Sequence, residues 1–295
     1  MPQHPVIRAH LGLLLYAVLI STSFPIAAFM GQGFSPLWTT WGRFAIASLG
    51  FILLLARFRQ LNWPGWRSVG RFALISLPMT SFFLLMFFAG ETASALAMGS
   101  LTTLVPLLSC LLGWLVSRMA PHPARILALC LGVAAALWVL TEGELAMLMQ
   151  GGWPVGNSLY VIGCVLMGGY PLVLKALHRG EPMLTVTGWS LITGTGWLTL
   201  ALLLVQPHWE WPTLAQSGAI LWLATATTML TFFLFQSASL VVGGSSANAY
   251  SLLSPALVLV INTLQGKPWP SLWVLPAVVL IVISLLMLLQ LDRRR

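Results

Sequence analysis

The sequence predicts an all-α polytopic membrane protein. Ten transmembrane helices would form two inverted five-helix repeats, with both termini cytoplasmic. Composition, the placement of charge and an internal repeat carry that prediction. Of 295 residues, 58% are hydrophobic and 7% charged, and the mean hydropathy is +0.91. Soluble domains carry about 25% charged residues, so this chain has too few to coat a water-facing surface. A spanning helix needs about 20 apolar residues, and ten would use about 200. That leaves short loops and no folded soluble domain. A soluble enzyme, a nucleic-acid binder and a disulfide-stapled secreted module are all excluded.

The first apolar run follows the basic start MPQHPVIRAH and continues to about residue 31. With more spans behind it, it reads as an uncleaved first helix rather than a signal peptide. Gly31-Gln32-Gly33 ends it, and the second span covers 35–56. A charged loop from Arg57 to Arg71, with Trp63-Pro64-Gly65 inside it, precedes the third span at 71–90. Gly90-Glu91 separates this from the fourth, 93–117. Arg118 to Arg125, with two prolines, precedes a short fifth at 125–141, the element that a nine-span reading would merge. Beyond Glu142–Pro154 come spans at 155–175, 183–205, 213–239, 245–264 and 271–290. They are broken at Lys175–Pro182, Gln206–Pro212, Gly243-Gly244 and Gly266-Lys267-Pro268. Cys110, Cys130 and Cys164 lie in apolar runs. An odd count there gives no disulfide framework, and they read as small packing residues.

Basic residues collect on the cytoplasmic side of membrane proteins. With the N-terminus inside, the cytoplasmic segments hold Arg8, Arg57, Arg59, Arg67, Arg71, Arg118, Arg125, Lys175, Arg179, Arg293, Arg294 and Arg295. These are 12 of the 14 basic residues, against Lys267 alone in the outer loops. The split explains the net charge of +8 without nucleic acid, and favours an even number of spans. Glu91, Glu142, Glu144 and Glu210 fall outside. Trp153, Trp209, Trp211 and Trp269 sit near outer helix ends, as an interfacial belt would.

The chain also repeats itself. A shift of 146 residues brings Phe24-Pro25 onto Tyr170-Pro171 and Gly42 onto Gly188; a shift of 149 brings Leu104-x-Pro106 onto Leu253-x-Pro255. The units are 1–145 and 146–295. Five spans per unit is odd, so the second starts from the opposite side. Inverted repeats of this kind are common in secondary transporters, with the site near the midplane between halves.

These features resemble the drug/metabolite transporter superfamily, specifically its EamA-type permeases. The stretch Thr92-Ala93-Ser94-Ala95 leading to Leu104-Val105-Pro106 is similar to the family pattern, as is Gly243-Gly244 leading to Leu253-Ser254-Pro255. The resemblance spans about residues 11–290. It implies an inner-membrane carrier with a central cavity lined by helices 1–4 and 6–9, helices 5 and 10 being peripheral. It also implies a small-molecule substrate, amino acids first, exported from the cytoplasm. The alternative is a multidrug or lipid-linked-substrate exporter or flippase of the same fold. The small multidrug branch carries a glutamate in its first helix. Here Ser21, Thr22 and Ser23 stand there without an acid, which speaks against proton-coupled export of cationic drugs.

Arg43 is the charged residue that falls inside a span, about eight residues and roughly 12 Å from the outer end of the second helix. An intramembrane arginine costs at least about 2.5 kcal/mol and generally faces a cavity or a partner. Guanidinium binds carboxylate or phosphate bidentately, so Arg43 is a candidate substrate anchor; a structural pair with Glu91 is the competing reading. Glu91 itself is a candidate proton-coupling site or gate, or a solvated helix start. Further substrate-binding candidates are Ser23, Trp41, Thr80, Tyr170, Asn248 and Tyr250. They belong to polar clusters that include Thr225, Thr227, Thr228 and Gln236, while helices 5 and 10 are nearly bare. Such groups also bond across packed membrane helices without touching substrate. Pro25, Pro106, Pro171 and Pro255 are candidate hinges, because proline frees a carbonyl and kinks a helix. No HExxH, GxSxG or GxxxxGK[ST] motif occurs, so no metal, cofactor or catalytic constellation is expected. No GxxxG lies wholly inside a span to mark a dimerisation face.

Overall fold

The computed structural model describes residues 3–141, 153–205, 208–209, 211–268 and 272–293. Glu142, Glu144, Glu210, Trp269, Arg294 and Arg295 lie outside them. Ten helices are long and apolar enough to cross a membrane: α1 (Pro5–Met30), α2 (Pro36–Arg57), α3 (Trp66–Ala89), α4 (Ala95–Ser117), α5 (Pro123–Leu140), α6 (Val155–Leu177), α7 (Met183–Val205), α8 (Leu214–Val242), α9 (Gly244–Leu264) and α10 (Leu272–Leu291). The short fifth helix is therefore an element in its own right. The largest differences from the sequence reading are at the starts of α1 and α3, which begin five to six residues early. Helical hydrogen bonding continues past the apolar run there, taking in Arg8, His10, Arg67 and Arg71.

The helix starts follow local chemistry. Ser35 caps α2 with Pro36 at its first position, and Ser94 accepts the amide of Ala97 at 3.1 Å. Thr213 and Gln216 form a reciprocal capping box on α8. Gly243, at φ +86 and ψ 148, turns α8 straight into α9; that region is essentially reserved for glycine and costs a side-chain-bearing residue about 1–3 kcal/mol.

The halves interleave. α1 packs on α8 and α3 on α6, while α2 pairs with α7, α4 with α9 and α5 with α10. Exchanging the halves maps this set of pairs onto itself, as an inverted repeat requires. The main apolar core draws its fully buried residues from α1–α4 and α6–α9 and the loops beside them. α5 and α10 form a second cluster with parts of α4 and α9, and Ser284 of α10 donates to the carbonyl of Ala128. These two helices are peripheral.

Three of the four candidate hinge prolines sit just beyond a helix break. α1 is interrupted at Thr22, three residues before Pro25, and α4 at Thr102–Thr103 before Pro106. α9 narrows to a 3₁₀ turn over Tyr250–Leu253 before Pro255. Proline cannot donate to the carbonyl four residues back. For Pro106 that carbonyl belongs to Thr102; it accepts the amide of Val105 at 3.0 Å and, more weakly, shares the hydroxyl of Ser251 at 3.3 Å with the nearer carbonyl of Asn248 at 2.8 Å. Thr102 and Ser251 are themselves related by the 149-residue shift, so the bond joins matching breaks. Pro171 lies inside the continuous α6.

The two ends of the bundle differ. At one end, which carries most of the basic residues, a cavity of about 700 Å³ lies between the last turns of α4, α6 and α8, the start of α5 and the α8–α9 turn. At the opposite end α1, α3 and α6 touch backbone to backbone. A Cβ added to Gly31 would lie 2.5 Å from the carbonyl of Gly90, one on Gly90 2.4 Å from that of Ala27, and one on Gly156 2.4 Å from that of Ala89. Trp38, Trp41, Trp209 and Trp211 stack edge to face in series at this end, with centroids 4.5–5.6 Å apart.

Candidate functional site

Arg43 lies in the first half of α2, seven residues beyond Pro36, and is fully buried. What receives it is a local irregularity in α8. Residues Thr225–Leu230 form a π turn, which carries an extra residue and leaves a carbonyl off the regular ladder. Arg43 Nη2 donates to the carbonyl of Thr227 at 2.8 Å and to its hydroxyl at 3.2 Å, and Nε donates to Thr228 Oγ1 at 2.8 Å. The guanidinium carbon stands 4.3 Å from the centroid of Phe83 and 5.5 Å from that of Phe87, both on α3. Nη1 is buried without a hydrogen-bond partner. The competing reading, a structural pair with Glu91, does not form: among the described residues the ion pair present is Arg71–Glu181. Glu91 is exposed in a shallow pocket with Gln32 and His208 at the end opposite the basic one. It stands in the turn between α3 and α4, exposed at the surface.

Below Arg43 the rings of Phe44, Phe83 and Phe232 pack together, with centroids 5.4–6.2 Å apart. One further turn along α8, Gln236 bridges two helices. Its Nε2 donates to Tyr170 Oη on α6 at 2.6 Å, and its Oε1 accepts the hydroxyl of Thr187 on α7. Beyond that bridge Ser239 and Leu240 line the cavity at the basic end. One face of α8 thus runs from Arg43 through an aromatic layer and a polar layer to open space.

The other candidates divide. Thr80 is buried with its hydroxyl unpartnered, on the helix that supplies Phe83; an added Cβ on Gly194 would meet it at 2.7 Å. Ser23 and Asn248 are buried, with Ser23 Oγ and Asn248 Nδ2 unpartnered at or near the helix breaks. Tyr250 hydrogen-bonds His10 Nδ1 at 2.8 Å, tying α9 to the early start of α1. Trp41 does not join Arg43: its indole nitrogen donates to Thr199 of α7 at 3.0 Å, and its ring meets Trp38. Two residues along a helix are about 200° around it, which puts Trp41 and Arg43 on nearly opposite faces. Phe83, Phe87 and Thr187 had no signal in the sequence beyond apolar runs and helical polar groups.

At the basic end Arg71 reaches from α3 to the α6–α7 loop, donating to the carbonyl of Leu177 at 2.7 Å and to Glu181. Burial alone would raise the Glu181 carboxyl. The hydrogen bonds from Arg71 and from the amide of Arg179 outweigh it and hold the group down at about 2.

The EamA-like transporter family model matches residues 7–141 and again 154–290. A solved structure, described only as a crystal structure of a protein, is similar over 100% of this chain and 99% of its own length, with a TM-score of 0.72 and 19% identity. At that identity the likeness is one of fold. No curated protein matches the sequence.

Proposed function

The chain belongs to the EamA-like transporter family, and from that premise we propose that it exports small carboxylate-bearing metabolites, amino acids first, from the cytoplasm across the inner membrane. Arg43 carries the reading. It is a fully buried cation with no carboxylate within ion-pair distance among the described residues and one nitrogen unpartnered. A buried donor left unmade costs about 1–3 kcal/mol. A substrate carboxylate would satisfy Nη1 and supply the missing charge. The orientation rests on the 12 basic residues assigned inside.

Alternating access needs the substrate path to be closed at one end while open at the other. The glycine contacts draw α1, α3 and α6 together at one end and a cavity lies at the other, which supports a cytoplasm-facing state in this orientation. The halves would then rock about α4 and α9, where matching breaks meet at Thr102 and Ser251. No acid is buried among the described residues of the spans, which favours facilitated efflux or exchange over proton coupling.

The test is efflux from proteoliposomes loaded with a panel of labelled amino acids, with and without a pH gradient. Efflux indifferent to the gradient is expected. Gradient-driven efflux would shift coupling to Glu91. Movement of labelled lipid or cationic drugs without any amino acid would overturn the substrate class.

A further inference from the structure

The cavity at the basic end has a charge pattern of its own. Arg125, in the first turn of α5, and Lys175, in the last turn of α6, both line it, and among the described residues that line it none is Asp or Glu. Lys175 is exposed, at a helix C-terminus where a cation is favoured. Arg125 is 6% exposed, and its Nη2 donates to Ser245 Oγ across the cavity rim at 2.9 Å. Its placement runs against helix electrostatics, because a helix N-terminus already carries about half a positive charge. The start of α5 therefore adds a partial positive charge to this wall of the cavity. Low-dielectric walls around such a cleft focus its field on the space between them.

The geometry points to a second anion site: an antechamber in which Arg125 and Lys175 collect the carboxylate of the substrate before it reaches Arg43. This rests on the carboxylate reading above and adds a station to it. Ser239, in the cavity wall, lies twelve residues along α8 from Thr227, about 18 Å at 1.5 Å per residue. Between the two stations stand the Tyr170–Gln236–Thr187 bridge and the Phe44–Phe83–Phe232 layer. An anion held at Arg125 and Lys175 is thus near the path yet still outside both closures.

Gly113 also lines the cavity, and a Cβ built there meets nothing within 4 Å, so Gly113→Cys places a thiol in the cavity without disturbing the packing. The probes are an anionic and a cationic methanethiosulfonate of similar size. They are applied to G113C, with the native cysteines replaced, in phosphatidylcholine vesicles. Each labelling rate is divided by that of a free thiol. The normalised ratio of anionic to cationic labelling is expected to reach about tenfold, the low end of what focused fields produce. It should fall severalfold in Lys175→Gln, and soluble carboxylate should slow the anionic reagent. A ratio no higher than for the free thiol, or one unchanged by K175Q, overturns the antechamber. If anionic lipid suppresses the labelling and soluble carboxylate does not, the occupant is a phospholipid headgroup and substrate docking fails. Labelling needs no transport. A chain that moves no amino acid but shows the raised ratio refutes the exporter reading alone; normal efflux with a flat ratio refutes the antechamber alone.

Discussion

Replacing Arg43 with methionine removes the charge while keeping an unbranched chain in the space between α3 and α8. Two contributions to stability oppose one another. The guanidinium donates three hydrogen bonds to Thr227 and Thr228, and bonds to charged groups are worth about 1.5–3 kcal/mol each. Thr227 keeps other partners, its carbonyl accepting from Thr231 and its hydroxyl donating to the carbonyl of Leu223, while Thr228 Oγ1 loses its donor. Against the loss stands the cost of holding an arginine at membrane depth, about 2.5 kcal/mol or more. R43M should therefore lose about 2–6 kcal/mol of stability in detergent, what remains when the recovered cost of burying the arginine is set against the three lost bonds. Transport should respond differently. Removing one partner of a buried, hydrogen-bonded charge pair costs about 2–5 kcal/mol. At 1.4 kcal/mol per decade that is a loss of about 30-fold to several thousand-fold in affinity. Counterflow of an amino acid that the wild type carries, measured in proteoliposomes with the folded variant, reads this directly. Wild-type counterflow by R43M would falsify the assignment of Arg43 as the substrate anchor.

Thr228→Val removes the acceptor of Arg43 Nε and should weaken substrate affinity by about 10- to 150-fold, the worth of one charge-assisted bond; unchanged affinity would show that the π turn does not position the guanidinium. Tyr170→Phe leaves Gln236 Nε2 buried without its acceptor, so thermal unfolding should show a loss of about 1–3 kcal/mol, and equal stability would remove the bridge from the account. Glu181, held at about 2 against an ordinary 4.5, contributes stability above its unfolded value that is lost as pH falls towards 2. Melting temperature should accordingly drop more steeply below pH 4.5 in wild type than in Glu181→Gln, and parallel curves would contradict the Arg71 contact. Gly90→Ala would put a methyl 2.4 Å from the carbonyl of Ala27; a destabilisation of about 1–3 kcal/mol is expected, and a neutral result would mean the glycine contacts are looser than described.

The apolar runs made all ten helices legible, because each must supply its own backbone hydrogen bonds across a bilayer. Their starts were less so, since helices run on into the interface where the arginines of α1 and α3 begin. Arg43 was legible as a charge where charge is expensive. Its surroundings were not. A π turn depends on one hydrogen bond shifting by a residue, and TATTML (225–230) reads as well as regular helix. Phe83 and Phe87 sit in a run of phenylalanines whose lipid-facing and inward members look alike without the rotation of α3. Trp41 was drawn to Arg43 by sequence proximity and separated from it by helical rotation. Arg125 counted as a loop charge and proved to be nearly enclosed. The proline breaks followed from the missing amide, yet Pro171 shows that neighbouring helices can hold the same residue in an unbroken one.

The backbone contacts of Gly31, Gly90 and Gly156 bear on how the protein could move. Where helices meet through glycine, little hydrocarbon is hidden, and hydrophobic adhesion scales with the apolar area removed from water at about 25 cal/mol per Å². Parting those contacts wets amides, which water accepts readily, and strips few methyl groups of neighbours. The Phe44–Phe83–Phe232 layer is the reverse case, with three rings whose separation would hydrate an oily surface. The molecule thus has a seam that adheres weakly at one end and a plug that adheres strongly in the middle. Thermal motion should work the seam far more often than the plug, so the rare event that limits turnover would be the parting of the rings.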